Sequence, residues 1–189
     1  MAEDKSPLWR KHIVAGELFA TKVPHEIRTI LGSCVAVCLW DPDLLAGGMN
    51  HFMLPEYTGS GEASNKYGDI SIRSLIQRME SLGSKKSSLK AKVYGGGSLL
   101  SASGISQSSV GQQNIHIAME MLRSEGISIV SRHVGDFHGR KLRFNTCSGS
   151  LSISMVESIS AKAAPSSNGR PSAPKPVRIR QPEIILAEA

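Results

Sequence analysis

The chain has 189 residues, 40% apolar and 5% aromatic, with a formal charge of +6 and three cysteines. That length and composition allow one domain with a real core, and no apolar run reaches the roughly 18 residues of a membrane-crossing helix. Residues 158–189 hold five Lys/Arg and two Asp/Glu, which is half of the net charge, so the remainder is only mildly basic and does not point to nucleic acid. The first segment, MAEDKSPLWRKH, is charged and has no signal-peptide core. Cysteines 34, 38 and 147 suit a reducing compartment better than a disulfide framework, so a cytoplasmic location is expected.

In chain order, 12–20 is expected as a strand and Glu26–Leu31 as a second. Val35–Trp40 is apolar and β-branched, and Gly47–Leu54 follows it, so the two are expected to pair as a hairpin. Asp41-Pro42-Asp43 is turn chemistry, but proline fits neither central position of the tight primed turns. A longer loop is therefore expected, with a bulge at Gly47-Gly48. Residues 56–66, EYTGSGEASNK, read as a loop that flanks the end of the second hairpin strand. Ile72, Leu75, Ile76 and Met79 then follow the i, i+3, i+4, i+7 pattern of a helix, with Asp69 as its cap and Gly83 as its stop. After a lysine-bearing loop, Lys90–Tyr94 is a short strand ending in Gly95-Gly96-Gly97. Gln112–Glu125 is a second helix on Ile115, Ala118, Met119 and Leu122, closed by Gly126. Ile127–Val134, Lys141–Phe144 and Leu151–Val156 complete the strands. Many strands with two amphipathic helices predict an α/β fold: a layered sandwich of mixed or antiparallel β-sheet with flanking helices. From Ala161 to Pro182 the chain holds five of its nine prolines and little to bury. The expected organisation is a domain over 1–157 and a disordered basic tail over 158–189, ending in the apolar run Glu183-Ile184-Ile185-Leu186.

The chemistry concentrates in Ile27–Pro55. If the hairpin were plain and Cys34 faced His51, paired residue numbers would sum to 85; a longer loop leaves the two as neighbours or diagonal. A thiol needs a base or a positive neighbour to act as a nucleophile. The alternative reading is a buried strand cysteine beside a histidine that is merely hydrogen-bonded. Gly32 before Ser33-Cys34 lets backbone approach a substrate and leaves N–H groups for an oxyanion. A histidine serving a thiol must be held in one tautomer. Asp41 and Asp43 lie at the far turn, so a hydroxyl near the start of the Cys34 strand could serve instead.

Cys38 shares a strand face with Cys34, Ala36 and Trp40 and reads first as core. A zinc site of Cys34, Cys38, His51 and Cys147 ranks low because the spacing matches no familiar knuckle. Cys147 lies in a turn sequence and reads as a half-exposed bystander. His133 and His138 read as exposed positions and His116 as solvated. The triple glycine lacks the Lys-Ser/Thr of a phosphate loop and reads as a tight turn beside the site. Gly111 and Asn114 either frame the same cleft or serve only in caps and turns.

Around LGSC, the apolar strand after it, Asp41-Pro42, Gly48, His51 and Leu54-Pro55, the chain resembles the bacterial chemoreceptor glutamine deamidases, the CheD family. The likeness continues through Tyr67, Gly95-Gly96, Gly111, Asn114, Gly126 and Asp136, covers roughly residues 10–156 and leaves out the tail. GSC alone is weak; GSC followed seventeen residues later by a histidine inside GGMNHFMLP is specific. The resemblance implies that Cys34 is the nucleophile and His51 the base, with Thr29 matching a threonine the family uses just before LGSC. It implies helices covering sheets, no metal, nucleotide or redox cofactor, no membrane insertion, and no nucleic acid. The implied substrate is a helical cytoplasmic segment of a methyl-accepting chemotaxis receptor, with a CheC-type phosphatase as a partner of some members. A non-catalytic adaptor and a cysteine hydrolase acting on other amides are the rival readings.

Overall fold

A computed structural model of the chain describes residues 8–97 and 109–156. The predicted tail, 158–189, lies outside the described residues. Among the described residues nine strands form two sheets, joined by two α-helices and a single 3-10 turn at Lys86–Ser88. The first sheet is ordered β1 (Trp9–His12), β3 (His25–Leu31), β8 (Gly139–Asn145), β9 (Leu151–Val156). The second is ordered β2 (Leu18–Thr21), β5 (Ala46–Asn50), β4 (Val35–Asp41), β6 (Lys90–Gly95), β7 (Ser128–Val134). β1–β3 and β6–β7 are parallel pairs and the rest are antiparallel.

The centre of the second sheet is buried on both faces, which is why β4 reads as a continuous apolar run. Val35, Val37 and Leu39 pack outward on helices α1 (Gly68–Ser81) and α2 (Val110–Ser124) through Ile72, Leu75, Ala118 and Leu122. Ala36 and Cys38 face the first sheet across Ile27, Leu31, Leu142 and Phe144. The layers are therefore helices, sheet, sheet, an α/β sandwich as expected.

Three local expectations need correction. The strand expected at 12–20 is broken: β1 ends at His12, the chain turns at Ala15-Gly16 (Gly16 φ +86°), and β2 begins at Leu18 in the other sheet. The hairpin registers Cys38 with Met49 and Asp41 with Ala46, so paired numbers sum to 87 and not to the 85 of a plain hairpin, in keeping with the longer loop expected. Its four-residue loop, 42–45, is tied by the Asp41 carboxylate, which accepts from the N–H groups of Asp43 (3.0 Å) and Leu44 (3.2 Å). Gly47-Gly48 carries no bulge. A Cβ there would lie 2.7 Å from the Thr146 carbonyl oxygen or 2.6 Å from the Ala20 Cβ, so this pair serves close packing of the layers. Asp69 does not cap α1; Tyr67 is the N-cap residue, and the Asp69 carboxylate accepts from Tyr57 N–H at 3.1 Å, holding the 56–66 loop.

Candidate active site

The ladder between β4 and β5 fails at Asn50-His51, and that failure builds the site. Val37 N–H donates to the Asn50 side chain at 2.7 Å instead of to backbone. The His51 backbone turns to the crossover segment: its N–H donates to Glu17 (3.0 Å) and its carbonyl accepts from Gly16 (2.7 Å). Pairing resumes at Val35–Phe52, with reciprocal bonds of 3.0 Å. In this register Cys34 stands opposite Met53 and diagonal to His51, both on the face turned to the first sheet, a separation of roughly 7–8 Å between backbones.

Thr29 reaches His51 from the other sheet. It lies on the inward face of β3 between Ile27 and Leu31 and is 2% exposed. Its Oγ1 donates to the Ile13 carbonyl at 2.9 Å and lies 2.8 Å from His51 Nδ1. A hydroxyl has one proton, and a carbonyl can only accept it. His51 Nδ1 must therefore be the donor to Thr29, which leaves the lone pair on Nε2. Nε2 is buried and has no hydrogen-bond partner among the described residues.

Burial pushes the His51 imidazole down to about 4, opposed by the Glu17 carboxylate. Burial also pushes the half-buried Cys34 thiol up, opposed by its own backbone N–H. At neutral pH the two groups are a neutral thiol and a neutral imidazole rather than a stored ion pair. Among the described residues the N–H groups of Gly32 and Ser33 meet no backbone acceptor, and the N–H of Cys34 itself acts on its thiol.

Two further segments hold the cysteine. Gly96 N–H donates to the Cys34 carbonyl and Gly97 N–H to the Gly32 carbonyl, both at 2.8 Å. Asn114, fully buried on α2, donates through Nδ2 to the carbonyls of Ser33 (3.1 Å) and Met53 (3.0 Å). It thus ties the Cys34 segment to the residues after His51. Gly111 packs on the carbonyls of Gly96 and Gly97. The sequence pointed to Gly111 and Asn114 without deciding between cleft and cap. The cap of α2 is instead Ser109 with Gln112.

The remaining candidates separate. Cys38 is buried in the inter-sheet core with its thiol pushed up by that burial. Cys147 is half-buried in the turn after β8, where its carbonyl accepts from Trp40 Nε1. Among the described residues no group of three His, Cys, Asp or Glu side chains is placed to hold a metal ion. His116, His133 and His138 are exposed, and His133 Nδ1 accepts from Arg140 Nε at 2.9 Å. Sequence reasoning missed Arg140, which is fully buried; its place in an alternating strand was the available signal.

Among the described residues no helix is long and apolar enough to cross a membrane. A family model described as CheD chemotactic sensory transduction matches residues 53–155, beginning two residues past His51. The chain is 42% identical over 147 residues to a probable chemoreceptor glutamine deamidase CheD of Trichlorobacter lovleyi, covering 78% of this chain and 91% of the relative. A protein of the same description from Sulfurimonas denitrificans is 39% identical over 148 residues, covering 78% and 95%. One from Sinorhizobium medicae is 39% identical over 172 residues, covering 89% and 92%. With similarity of that extent on both sides of the thiol–imidazole site, the chain belongs to the CheD family.

Proposed function

We propose that this protein deamidates glutamine side chains of chemotaxis receptors to glutamate through a Cys34 thioester. The observation that carries the mechanism is the Thr29–His51 hydrogen bond. With Ile13 taking the Thr29 proton, His51 keeps its own on Nδ1 and offers Nε2 as the base.

A primary amide is a poor electrophile, so the thiol proton leaves as the sulfur attacks. Cys34 Sγ bonds to the amide carbon, its proton passes to His51 Nε2, and the carbonyl oxygen becomes an oxyanion facing backbone N–H groups. The tetrahedral species collapses by breaking C–N, and His51 returns the proton to the departing ammonia. Water then attacks the thioester with His51 again as base, and release of Cys34 leaves a carboxylate. Thr29 is a positioning residue. As a neutral partner it orients the ring but stabilises imidazolium less than a carboxylate would. On the family resemblance alone, the substrate is a helical segment on the cytoplasmic side of the receptor and a CheC-type phosphatase is a second partner.

Incubation with a chemoreceptor's cytoplasmic fragment, followed by intact-mass and ammonia measurement, tests the reading. We expect a gain of about 1 Da per converted glutamine, from NH₂ replaced by OH. Cys34→Ala and Cys34→Ser should be inactive and folded, Thr29→Ala partly active, and Cys38→Ala close to wild type. Turnover by Cys34→Ala, or a fully active Thr29→Ala, would contradict the assigned roles.

A further inference from the structure

A single exposed apolar side chain is ordinary; Phe137, 55% exposed, differs in what is built to hold it. It sits on the turn between β7 and β8, where two successive residues, Gly135 (φ +78°) and Asp136 (φ +70°), are left-handed. Asp136 has a Cβ, and aspartate adopts this conformation where local hydrogen bonds support it. The support is present on three sides. The Asp136 carboxylate accepts from Phe137 N–H at 2.6 Å. The guanidinium of the fully buried Arg140 donates to the Gly135 carbonyl. Gly135 N–H donates to the Gly95 carbonyl at 2.9 Å.

The turn reaches the nucleophile's backbone through Gly95-Gly96-Gly97. A Cβ on Gly97 would lie 3.2 Å from the carbonyl oxygens of both Gly32 and His138, so Gly97 is packed between the turn and Gly32, while Gly96 N–H donates to the Cys34 carbonyl. On the other side of Cys34 stands Met53, 38% exposed and held through its carbonyl by Asn114. Burying an arginine to brace a turn is a costly way to present a phenyl ring to solvent, unless the ring has a partner there.

Building on the deamidase reading, we propose that Phe137 is a specificity-determining residue. It packs on apolar side chains flanking the target glutamine in a folded receptor segment, with Met53 closing the opposite side. Rigid aromatic anchors contribute strongly to protein recognition, and a flexible thioether adapts to variable neighbours. The arrangement selects glutamine carried on a protein surface over the free amino acid.

The test separates binding from turnover. The full-length Cys34→Ala chain is titrated with a chemoreceptor's cytoplasmic fragment, with and without Phe137→Ala and Phe137→Trp. We expect Phe137→Ala to weaken binding by at least about tenfold and Phe137→Trp to restore most of it. With Cys34 present, Phe137→Ala should be alkylated by iodoacetamide at pH 9 as fast as wild type, which a collapsed turn would not allow. Equal affinities, no binding by either chain, or an altered alkylation rate would overturn the role of Phe137. The deamidase reading has a separate signal: a wild-type chain that binds through Phe137 yet releases no ammonia removes that reading and leaves this one.

Discussion

Thr29, His51 and Cys34 come from three different elements, and one proton count relates them. Because Thr29 donates to Ile13, its hydroxyl orders the imidazole without competing for the base lone pair. The same burial that keeps Nε2 free makes a charged His51 unfavourable, and this has a consequence for acid stability. The imidazole titrates at about 4 in the folded protein against an ordinary value of 6.5. Between those values the unfolded chain binds the extra proton, so the contribution of His51 to stability falls as pH falls from 6.5 towards 4. The loss over that interval is on the order of 3 kcal/mol. Melting temperatures of wild type and His51→Gln measured from pH 7.5 to pH 4 should therefore change in the mutant's favour on acidification. Parallel curves would show that His51 is not buried as a neutral base. Other groups titrate in both proteins and cancel in the difference.

The elements around the nucleophile meet through backbone, which is where glycine is required. Gly95 has φ +112°, and a Cβ there would stand 2.2 Å from the Cys34 carbonyl oxygen. Gly126 has φ +68° with nothing within 4 Å. Gly126→Ala should therefore cost only the left-handed penalty, roughly 1 kcal/mol. Gly95→Ala adds a backbone collision and should cost more than about 3 kcal/mol while also changing the alkylation rate of Cys34. Equal losses of melting temperature in the two variants would refute this account. Elements of this kind were legible in part. The apolar spacing in α1 and α2 and the β-branched run in β4 carried the secondary structure. The hairpin register did not follow, because the loop length is set by the Asp41 carboxylate and the interruption at Asn50 by a side chain replacing a backbone acceptor. Thr29 was reached through the family resemblance, with the lack of a nearby carboxylate in its favour, whereas Arg140 was missed although it falls in phase with Leu142 and Phe144, one residue before the strand expected at Lys141–Phe144.

At the scale of the molecule, the site lies at one end of the core between two sheets, and the Thr29–His51 bond spans that core. Strand order was beyond sequence reasoning, since β1 and β2 read as one strand and the crossover at Ala15-Gly16 alone divides them between sheets. Among the described residues the two apolar clusters draw on every layer, with members from Ile13 to Ile153. Helices cover one face of the second sheet, and the first sheet covers the other. The proline-rich, basic composition after 160 offers little that could be buried. Deleting residues 161–189 should therefore leave the melting temperature within about 2 °C of the full chain, because a loss of 1 kcal/mol would already exceed that in a protein of this size. Thermal unfolding of the two chains by circular dichroism is the measurement. A fall of about 5 °C or more would mean that apolar residues of the last segment, Ile184 to Leu186 foremost, belong to the core. Receptor binding by the same pair in low and high salt reads a separate effect. If the five basic residues after 157 contribute, the full chain's advantage should shrink as salt rises, since exposed charges are screened beyond about 8 Å at physiological ionic strength. An advantage that salt leaves unchanged would assign any contribution of the tail to apolar contacts instead.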